Sequence, residues 1–238
     1  MTLDLPDYTK PIGGIDRHGN PLQSLQVPPV WFHDDFEGGT FKWGRGFGTV
    51  EHVAIPHTAS ATSPVYTGTA CMRITSGTGT IGQGLRYITL PPTTENIAIS
   101  TWFSMLDTAA FSNAVGNNVF TYLDIYTGDA KIRVRVAYNP SDGKWYVYVG
   151  GSLMWQYVHT QKLSAQAHHY LKLVFNPTTL KYIRLHINHD TVDISDYSFT
   201  SSSSTGDVRT IIKYMCWGAS GQKAVLYVDD VMVTYNEP

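Results

Sequence analysis

Carboxylates that could act as a catalytic pair are scarce in this sequence. A retaining glycoside hydrolase needs two carboxylates about 5–5.5 Å apart, which on a β-strand requires acidic residues two or four positions apart on one face. No glutamate has a carboxylate at either offset within a strand pattern; the glutamates are Glu37, Glu51, Glu95 and Glu237. Asp190, Asp193 and Asp196 are spaced by three, which alternates faces on a strand. The acidic residues therefore argue against a hydrolase.

Histidines are placed no better for catalysis or for metal binding. His186, His189 and Asp190 would be candidate metal ligands, but a spacing of three on a strand sends the two imidazoles to opposite faces. The neighbouring side chains of His168 and His169 diverge for the same reason. We expect a protein without an enzymatic activity of its own.

The residues best suited to binding lie on two consecutive predicted strands and just beyond them. Aromatic planes suit the apolar C–H faces of sugars, and arginine supplies hydrogen-bond donors for hydroxyl groups; the same pairing also serves protein interfaces. The candidates for binding a glycan or a protein partner are Arg133, Arg135, Tyr146, Tyr148 and Trp155. The alternative is ordinary cross-strand stabilisation, worth about 0.2–1 kcal/mol per pair.

The turn between these two strands predicts their register. Matching the apolar faces requires an even loop length, which is met when Asn139 pairs with Lys144 across a turn that begins with proline and ends with glycine. This register places Arg135 opposite Tyr148 on the outer face, and it pairs valines on the core face.

The composition indicates what kind of scaffold must hold these residues. The 238 residues are only 15% charged, against about 25% in an average soluble protein. Aromatic residues reach 13%, and there are 21 glycines and 12 prolines. A formal charge of −2 argues against nucleic-acid binding, which requires a basic surface, and no apolar run has the length of a membrane span.

Short alternating segments separated by turn residues predict an all-β fold. A second hairpin is predicted from 171–175 and 183–187, and a third from 211–217 and 224–235. Further strands are predicted at Ala70–Ser76, Leu85–Leu90, Ile97–Leu106 and Val119–Tyr126, with short helical turns near Thr108–Val115 and Ser164–His169 and a solvated loop at 200–206. The absence of strand–helix alternation favours an antiparallel two-sheet β-sandwich, a jelly roll.

Four segments carry a resemblance to a known superfamily. Asp34-Asp35-Phe36-Glu37-Gly38 opens the domain, residues 226–233 close it, and 169–176 and 182–188 lie between them. Over about residues 31–238 this pattern resembles the concanavalin A-like lectin/glucanase superfamily, including laminin-G-like and carbohydrate-binding jelly rolls. The resemblance implies sugar-binding proteins, glycoside hydrolases or lyases, or phage decoration and tail-associated proteins. The Glu-x-Asp-x-x-Glu signature of the hydrolases is absent.

The resemblance also implies a candidate structural calcium site. Some related carbohydrate-binding domains hold Ca²⁺ between their opening and closing strands, and the corresponding candidates here are Asp35, Glu37, Asp229 and Asp230. The alternative is that these carboxylates accept hydrogen bonds from turns and backbone without any metal.

Residues 1–30 are interrupted by proline and glycine and predict an extended N-terminal arm ahead of the 31–238 domain. Its apolar anchors would be Ile12, Ile15, Leu22 and Leu25. The first residues have no secretory signal pattern. We therefore expect an oligomeric virion surface protein, bound to capsid or tail proteins through the arm, with an extracellular lectin or carbohydrate-binding module as the alternative. Cys71 and Cys216 are expected to be reduced.

Overall fold

A computed structural model describes residues 28–38, 40–54, 65–66, 68–89, 95–112, 119–150, 154–205 and 207–238. The four predicted arm anchors lie outside these residues: Ile12, Ile15, Leu22 and Leu25. The role of residues 1–30 as an arm therefore stays a prediction.

Antiparallel β-strands form nearly all of the regular structure in the described part of the chain. The first half contains β1 (Val30–Asp34), β2 (Gly44–Phe47), β3 (Thr49–Ala54), β4 (Ala70–Thr75), β5 (Ile81–Ile88), β6 (Ile97–Met105), β7 (Val119–Tyr126) and β8 (Ala130–Asn139). The second half contains β9 (Lys144–Val149), β10 (Met154–Thr160), β11 (His169–Asn176), β12 (Lys181–Ile187), β13 (Asp190–Asp193), β14 (Ser201–Ser203), β15 (Arg209–Trp217) and β16 (Val225–Tyr235).

The strands form two sheets, as the alternating pattern predicted. The first sheet has the order β13-β12-β11-β6-β16-β4-β3, with β1 also paired to β16. The second sheet has the order β10-β9-β8-β7-β15-β5-β2, with β14 also paired to β8. The pairing of β1 with β16 confirms that the opening and closing strands are neighbours.

One hydrophobic core fills the space between the sheets. Leucines from both sheets are fully buried in it, including Leu123 on β7 and Leu173 and Leu185 on β11 and β12. Large aromatic side chains complete the core, such as Trp145, whose ring lies 4.8 Å from that of Tyr138. The inward rows of the central strands are apolar because these rows are removed from water.

Helical structure is limited to one short turn in the described residues. A 3-10 turn covers Thr108–Ala110, where Asp107 caps the N-terminus by accepting a hydrogen bond from Ala109 N. The helical turn expected at 164–169 is wrong, since that segment holds a non-helical turn and the first residue of β11. No helix among the described residues has the length and apolar character needed to cross a membrane.

Two sequence predictions about connections are wrong. The third predicted hairpin is a crossover, because β15 belongs to the second sheet and β16 to the first. The segment 200–206, predicted to be a loop, contains the exposed strand β14, whose Ser201 pairs with Ile132 of β8. Serines carry no hydrophobic alternation, so the pairing at this edge has no signal in the sequence.

A bulge sets the faces of β12. Strict alternation from Leu185 and Ile187 would place Tyr182 on the outer face with Arg184, but the register shifts between Val174 and Phe175 of the partner strand β11. Phe175 then lies opposite Tyr182, and the Tyr182 side chain points into the core, fully buried. An extra residue on one strand reverses the facing of its neighbours, and only the pairing reveals it.

Candidate functional site

The strand β8 has an unusual set of neighbours where its two arginines lie. β7 pairs with it from Lys131 to Tyr138, whereas on its other edge β9 pairs with 136–139 and β14 with 130–132. Arg133 and Arg135 therefore lie between the two partners on that edge. The predicted register is confirmed, since Asn139 pairs with Lys144.

A core tyrosine occupies the point where β9 leaves β8. The Tyr182 hydroxyl accepts a hydrogen bond from Arg135 N at 3.1 Å and donates one to Tyr148 O at 2.8 Å. A side chain from the first sheet thus bridges two strands of the second sheet. Burial raises the pKa of Tyr182, so the hydroxyl stays protonated and able to donate.

The structure brings the predicted arginines and aromatic residues onto one face. The Arg135 guanidinium lies 5.0 Å from the centre of the Tyr148 ring, and the Tyr148 ring meets Trp155 edge-on at 5.6 Å. Tyr146 lies in the next row, 6.3 Å from Tyr157 of β10. We call this outward side of β5, β15, β7, β8, β9 and β10 the arginine–tyrosine face.

Further residues of the arginine–tyrosine face were missed by the sequence reasoning. They come from β5, β7 and β15, and they are Gln83, Tyr87, Tyr122, Asp124, Tyr126, Arg209, Lys213 and Met215. Lys131, at the start of β8, lies in the same row as Arg133 and Arg135 and was also missed. A charged residue in the middle of an apolar strand, such as Lys213, was the available signal.

Asp124 is the electrostatic centre of the arginine–tyrosine face. Its side chain is 1% exposed, with Lys213 Nζ at 2.5 Å and Lys131 Nζ at 3.1 Å from Oδ2. Burial opposes ionisation, but the Lys213 hydrogen bond and the two lysine charges outweigh it and hold the pKa of Asp124 below its usual range. Asp124 is therefore a carboxylate that neutralises the cations around it.

Tyr122 is fixed between hydrogen bonds and cations. Its hydroxyl accepts from Gln83 Nε2 and donates to Met215 Sδ, each at 2.7 Å. Arg135 lies over the ring at 4.8 Å and Lys213 at 5.1 Å, which is the geometry of a cation–π contact. Burial raises the pKa of Tyr122 to about 12. These contacts hold the charged groups in defined positions.

Only some residues of the arginine–tyrosine face are exposed to solvent. Tyr148 is only 6% exposed and Tyr146 is similarly covered, so both rings form the floor on which other groups rest. Tyr157 is 50% exposed, and the Arg133 side chain is 38% exposed. A ligand would first meet these exposed groups, which also include Tyr87 and Arg209, together with the half-buried Trp155.

The four carboxylates suggested for calcium are each engaged by protein donors. Glu37 accepts from Thr69 N and from Ala70 N, each at 2.7 Å. Asp229 accepts from Tyr66 N and Asp230 N, Asp230 pairs with His33, and Asp35 accepts from Glu37 N. Within the described ranges, no three His, Cys, Asp or Glu side chains lie close enough together to hold a metal ion. The calcium site stays a prediction from the resemblance.

A cleft lies beside β1. It has a volume of about 210 Å³, and its lining includes Asp34, Asp35 and Arg86. Asp34 already accepts hydrogen bonds from Phe36 N at 3.1 Å and from Trp43 Nε1 at 3.0 Å. This carboxylate holds the turn after β1 in place.

Comparisons with known proteins place the fold. No protein-family model and no curated protein sequence matches the chain. Among solved structures, peanut lectin with a nine-residue peptide aligns with a TM-score of 0.53 at 12% identity, over 86% of this chain and 96% of that chain. The globular domain of T. cruzi calreticulin gives 0.52 at 9% identity, over 86% and 88% of the two chains. The carbohydrate recognition domain of Emp46p, in a potassium-bound form, gives 0.50 at 12% identity, over 83% and 89%.

These similarities define the class of fold. The chain has a jelly-roll fold of two antiparallel sheets, similar to the folds of a lectin and a carbohydrate recognition domain, which is the fold that the resemblance in its sequence implied. At 9–12% identity the similarity concerns the fold alone.

Proposed function

We propose that this protein is a non-enzymatic glycan-binding protein whose ligand lies on the arginine–tyrosine face. The observation that carries the proposal is the row of Arg135, Tyr148 and Trp155 across three adjacent strands, with contacts of 5.0 and 5.6 Å. A lectin and a carbohydrate recognition domain are among the proteins that share its fold, which supports the same class of ligand.

The chemistry of the exposed groups suits a saccharide. A sugar ring presents an apolar face that packs on an aromatic plane, and Trp155 and Tyr157 offer such planes at the edge of the sheet. Its hydroxyl rim needs donors, and Arg133, whose side chain is 38% exposed, supplies guanidinium N–H groups on the same face. A β-strand scaffold fixes the spacing of these groups before the ligand arrives, which lowers the entropic cost of binding.

The carboxylates of this face support binding without catalysis. Glycoside hydrolysis requires two acidic groups with separate roles. The outward rows of β7, β8, β9 and β15 contain one carboxylate, Asp124, which is buried and paired with Lys213 and Lys131. A carboxyl whose pKa is held low is a poor proton donor at neutral pH.

The test is a glycan array followed by titration of the strongest ligand. Removing the Trp155 indole by Trp155→Ala should weaken binding about tenfold, because an aromatic contact contributes about 1.5 kcal/mol. Trp31→Ala is the matched control, since Trp31 is an exposed tryptophan on β1 of the first sheet. A protein that melts normally and binds no glycan on the array would overturn the proposal.

The biological setting is a separate part of the proposal. The low charge and high aromatic content support a surface protein of a virion, attached to capsid or tail proteins as an oligomer, with an extracellular lectin as the alternative. Mass spectrometry of purified virions tests the first, and light scattering of the purified protein tests the oligomeric state. Recovery of the protein only from the culture medium of uninfected cells would favour the alternative.

A further inference from the structure

We infer that the ligand of the arginine–tyrosine face is an acidic saccharide, one that carries carboxylate or sulfate groups. The inference rests on the proposed function and names its ligand class. It follows from the charge of the face and from guanidinium groups that the protein leaves available for an anion.

The charge of this face is opposite in sign to that of the whole chain. The chain carries a formal charge of −2. The outward rows of β7, β8 and β15 nevertheless hold five cations and a single carboxylate, Asp124; the cations are Lys131, Arg133, Arg135, Arg209 and Lys213. Asp124 is already engaged by Lys213 and Lys131, so the arginines supply the excess positive charge.

Arg133 has hydrogen-bonding capacity that the protein leaves unsatisfied. Its Nε lies 3.9 Å from Asp124 Oδ1, which is beyond hydrogen-bond distance, and both atoms are buried without a hydrogen-bond partner. The side chain is nevertheless 38% exposed, so its outer N–H groups reach solvent. A planar guanidinium matches the two oxygens of a carboxylate or sulfate, and such charge-assisted bonds are about twice as strong as neutral ones.

Arg209 extends the positive surface along the same side. Its guanidinium lies over the rings of Tyr126 at 4.9 Å and Tyr87 at 5.9 Å. Stacking on ring faces fixes the plane of a guanidinium and leaves its in-plane N–H groups available to an anion. Arg133 on β8 lies opposite Asp124, and Arg209 on β15 lies opposite Tyr126, two residues further along β7, so the two arginines are spaced along the face, which suits a polymer with repeated acidic groups.

A neutral glycan would not use these groups to the same extent, because hydroxyls do not compensate an excess of cations. A single-stranded nucleic acid would also meet cations and aromatic rings here. On the first sheet, by contrast, Arg73 is paired with Glu51, and the net charge of the chain is negative. Nucleic-acid binding requires a more basic surface than this, so we favour the acidic saccharide over the nucleic acid.

The test compares polymers that differ only in charge. Polygalacturonate and its methyl-esterified form share a backbone, and heparin and dextran sulfate supply sulfate where dextran is the neutral counterpart. We expect binding to at least one acidic polymer, at least about tenfold weaker binding to its neutral counterpart, and an affinity that falls when salt rises from about 50 to 300 mM. Better binding of carboxylated or of sulfated polymers identifies the anion.

Arg133→Gln and Arg209→Gln test the residues. Each should weaken acidic-polymer binding about tenfold. Arg73→Gln is the matched control, because Arg73 has the same 38% side-chain exposure as Arg133 but lies on the first sheet, paired with Glu51. It should leave the affinity unchanged while altering the net charge equally.

The outcomes separate the inference from the proposed function. Equal binding of charged and neutral polymers, sensitive to Trp155→Ala, overturns the inference and leaves the proposed function standing. Absence of binding to any glycan overturns both. Tighter binding of a single-stranded oligonucleotide than of every acidic polymer also overturns the inference, as does equal loss in the Arg73→Gln control.

Discussion

At the scale of single residues, the His33–Asp230 pair links the stability of the protein to pH. His33 Nε2 lies 2.5 Å from Asp230 Oδ1, joining the opening strand to the closing strand. The hydrogen bond to Asp230, together with the charges of Asp35 and Asp34, raises the pKa of His33 above 6.5 against the opposing effect of burial. The charged imidazole is therefore favoured in the folded state.

The raised pKa of His33 predicts a stabilisation that depends on pH. It should be fully present below the unfolded-state pKa of about 6.5 and lost as pH rises through the higher folded-state pKa. His33→Gln should therefore lower Tm at pH 5.5 and have a smaller effect at pH 8.5, as measured by differential scanning calorimetry. In an Asp230→Asn background most of this pH dependence should vanish; its persistence there would contradict the assignment.

At the scale of single residues, the sequence predicts part of the site. Alternation placed Arg133, Arg135, Tyr146 and Tyr148 on one face because these residues belong to a single hairpin, whose register follows from its turn. Asp124 comes from β7, and β15 (Arg209–Trp217) lies far along the chain from β8 (Ala130–Asn139). Long-range pairing of this kind depends on the whole fold, and no local pattern encodes it.

At the scale of elements, Tyr182 explains how the hairpin holds its arginine in place. The pairing of β8 with β9 ends at Val136 and Val147, and the Tyr182 hydroxyl supplies the hydrogen bonds of the next backbone groups, Arg135 N and Tyr148 O. The bulge in β11 and β12 is what turns Tyr182 inward. A local irregularity in the first sheet thus positions residues on the outer face of the second.

Removing the Tyr182 hydroxyl should lower the stability of the protein more than the removal of a hydroxyl usually does. Tyr182→Phe leaves a buried donor and a buried acceptor unsatisfied, so we expect the free energy of unfolding to fall by about 1–3 kcal/mol. Urea denaturation measures it. Tyr87→Phe, at an exposed tyrosine, should change the value by less than about 0.5 kcal/mol. Equal effects of the two substitutions would show that the bridge contributes nothing.

At the scale of elements, the sequence predicts individual strands better than the connections between them. The strands that were predicted from alternation and the first hairpin, which was predicted from its turn residues, are confirmed. The 211–235 crossover looked like a hairpin because both segments alternate and a glycine-containing turn joins them. In the structure β15 pairs with β5 and β7 of the second sheet and β16 with β4 and β6 of the first, so the crossover depends on strands that are distant in sequence from the turn.

At the scale of the whole molecule, the two sheets share the main hydrophobic core, to which both contribute their inner faces. Leu123 lies on β7 of the second sheet and Leu173 on β11 of the first, and both are fully buried in the same cluster. Separating the sheets would expose the inner faces of both. The stability of the arginine–tyrosine face therefore depends on packing in the sheet that does not carry it.

This shared core predicts that matched substitutions in the two sheets have the same consequence. Leu123→Ala and Leu173→Ala should each lower the free energy of unfolding by about 2–5 kcal/mol, because each removes buried apolar contacts and leaves a cavity. Unfolding followed by far-UV circular dichroism and by tryptophan fluorescence should shift together in both variants, since neither sheet can remain folded alone. A variant in which one probe melts well before the other would show that the sheets are separate units, and the first sheet would then have no part in holding the binding face.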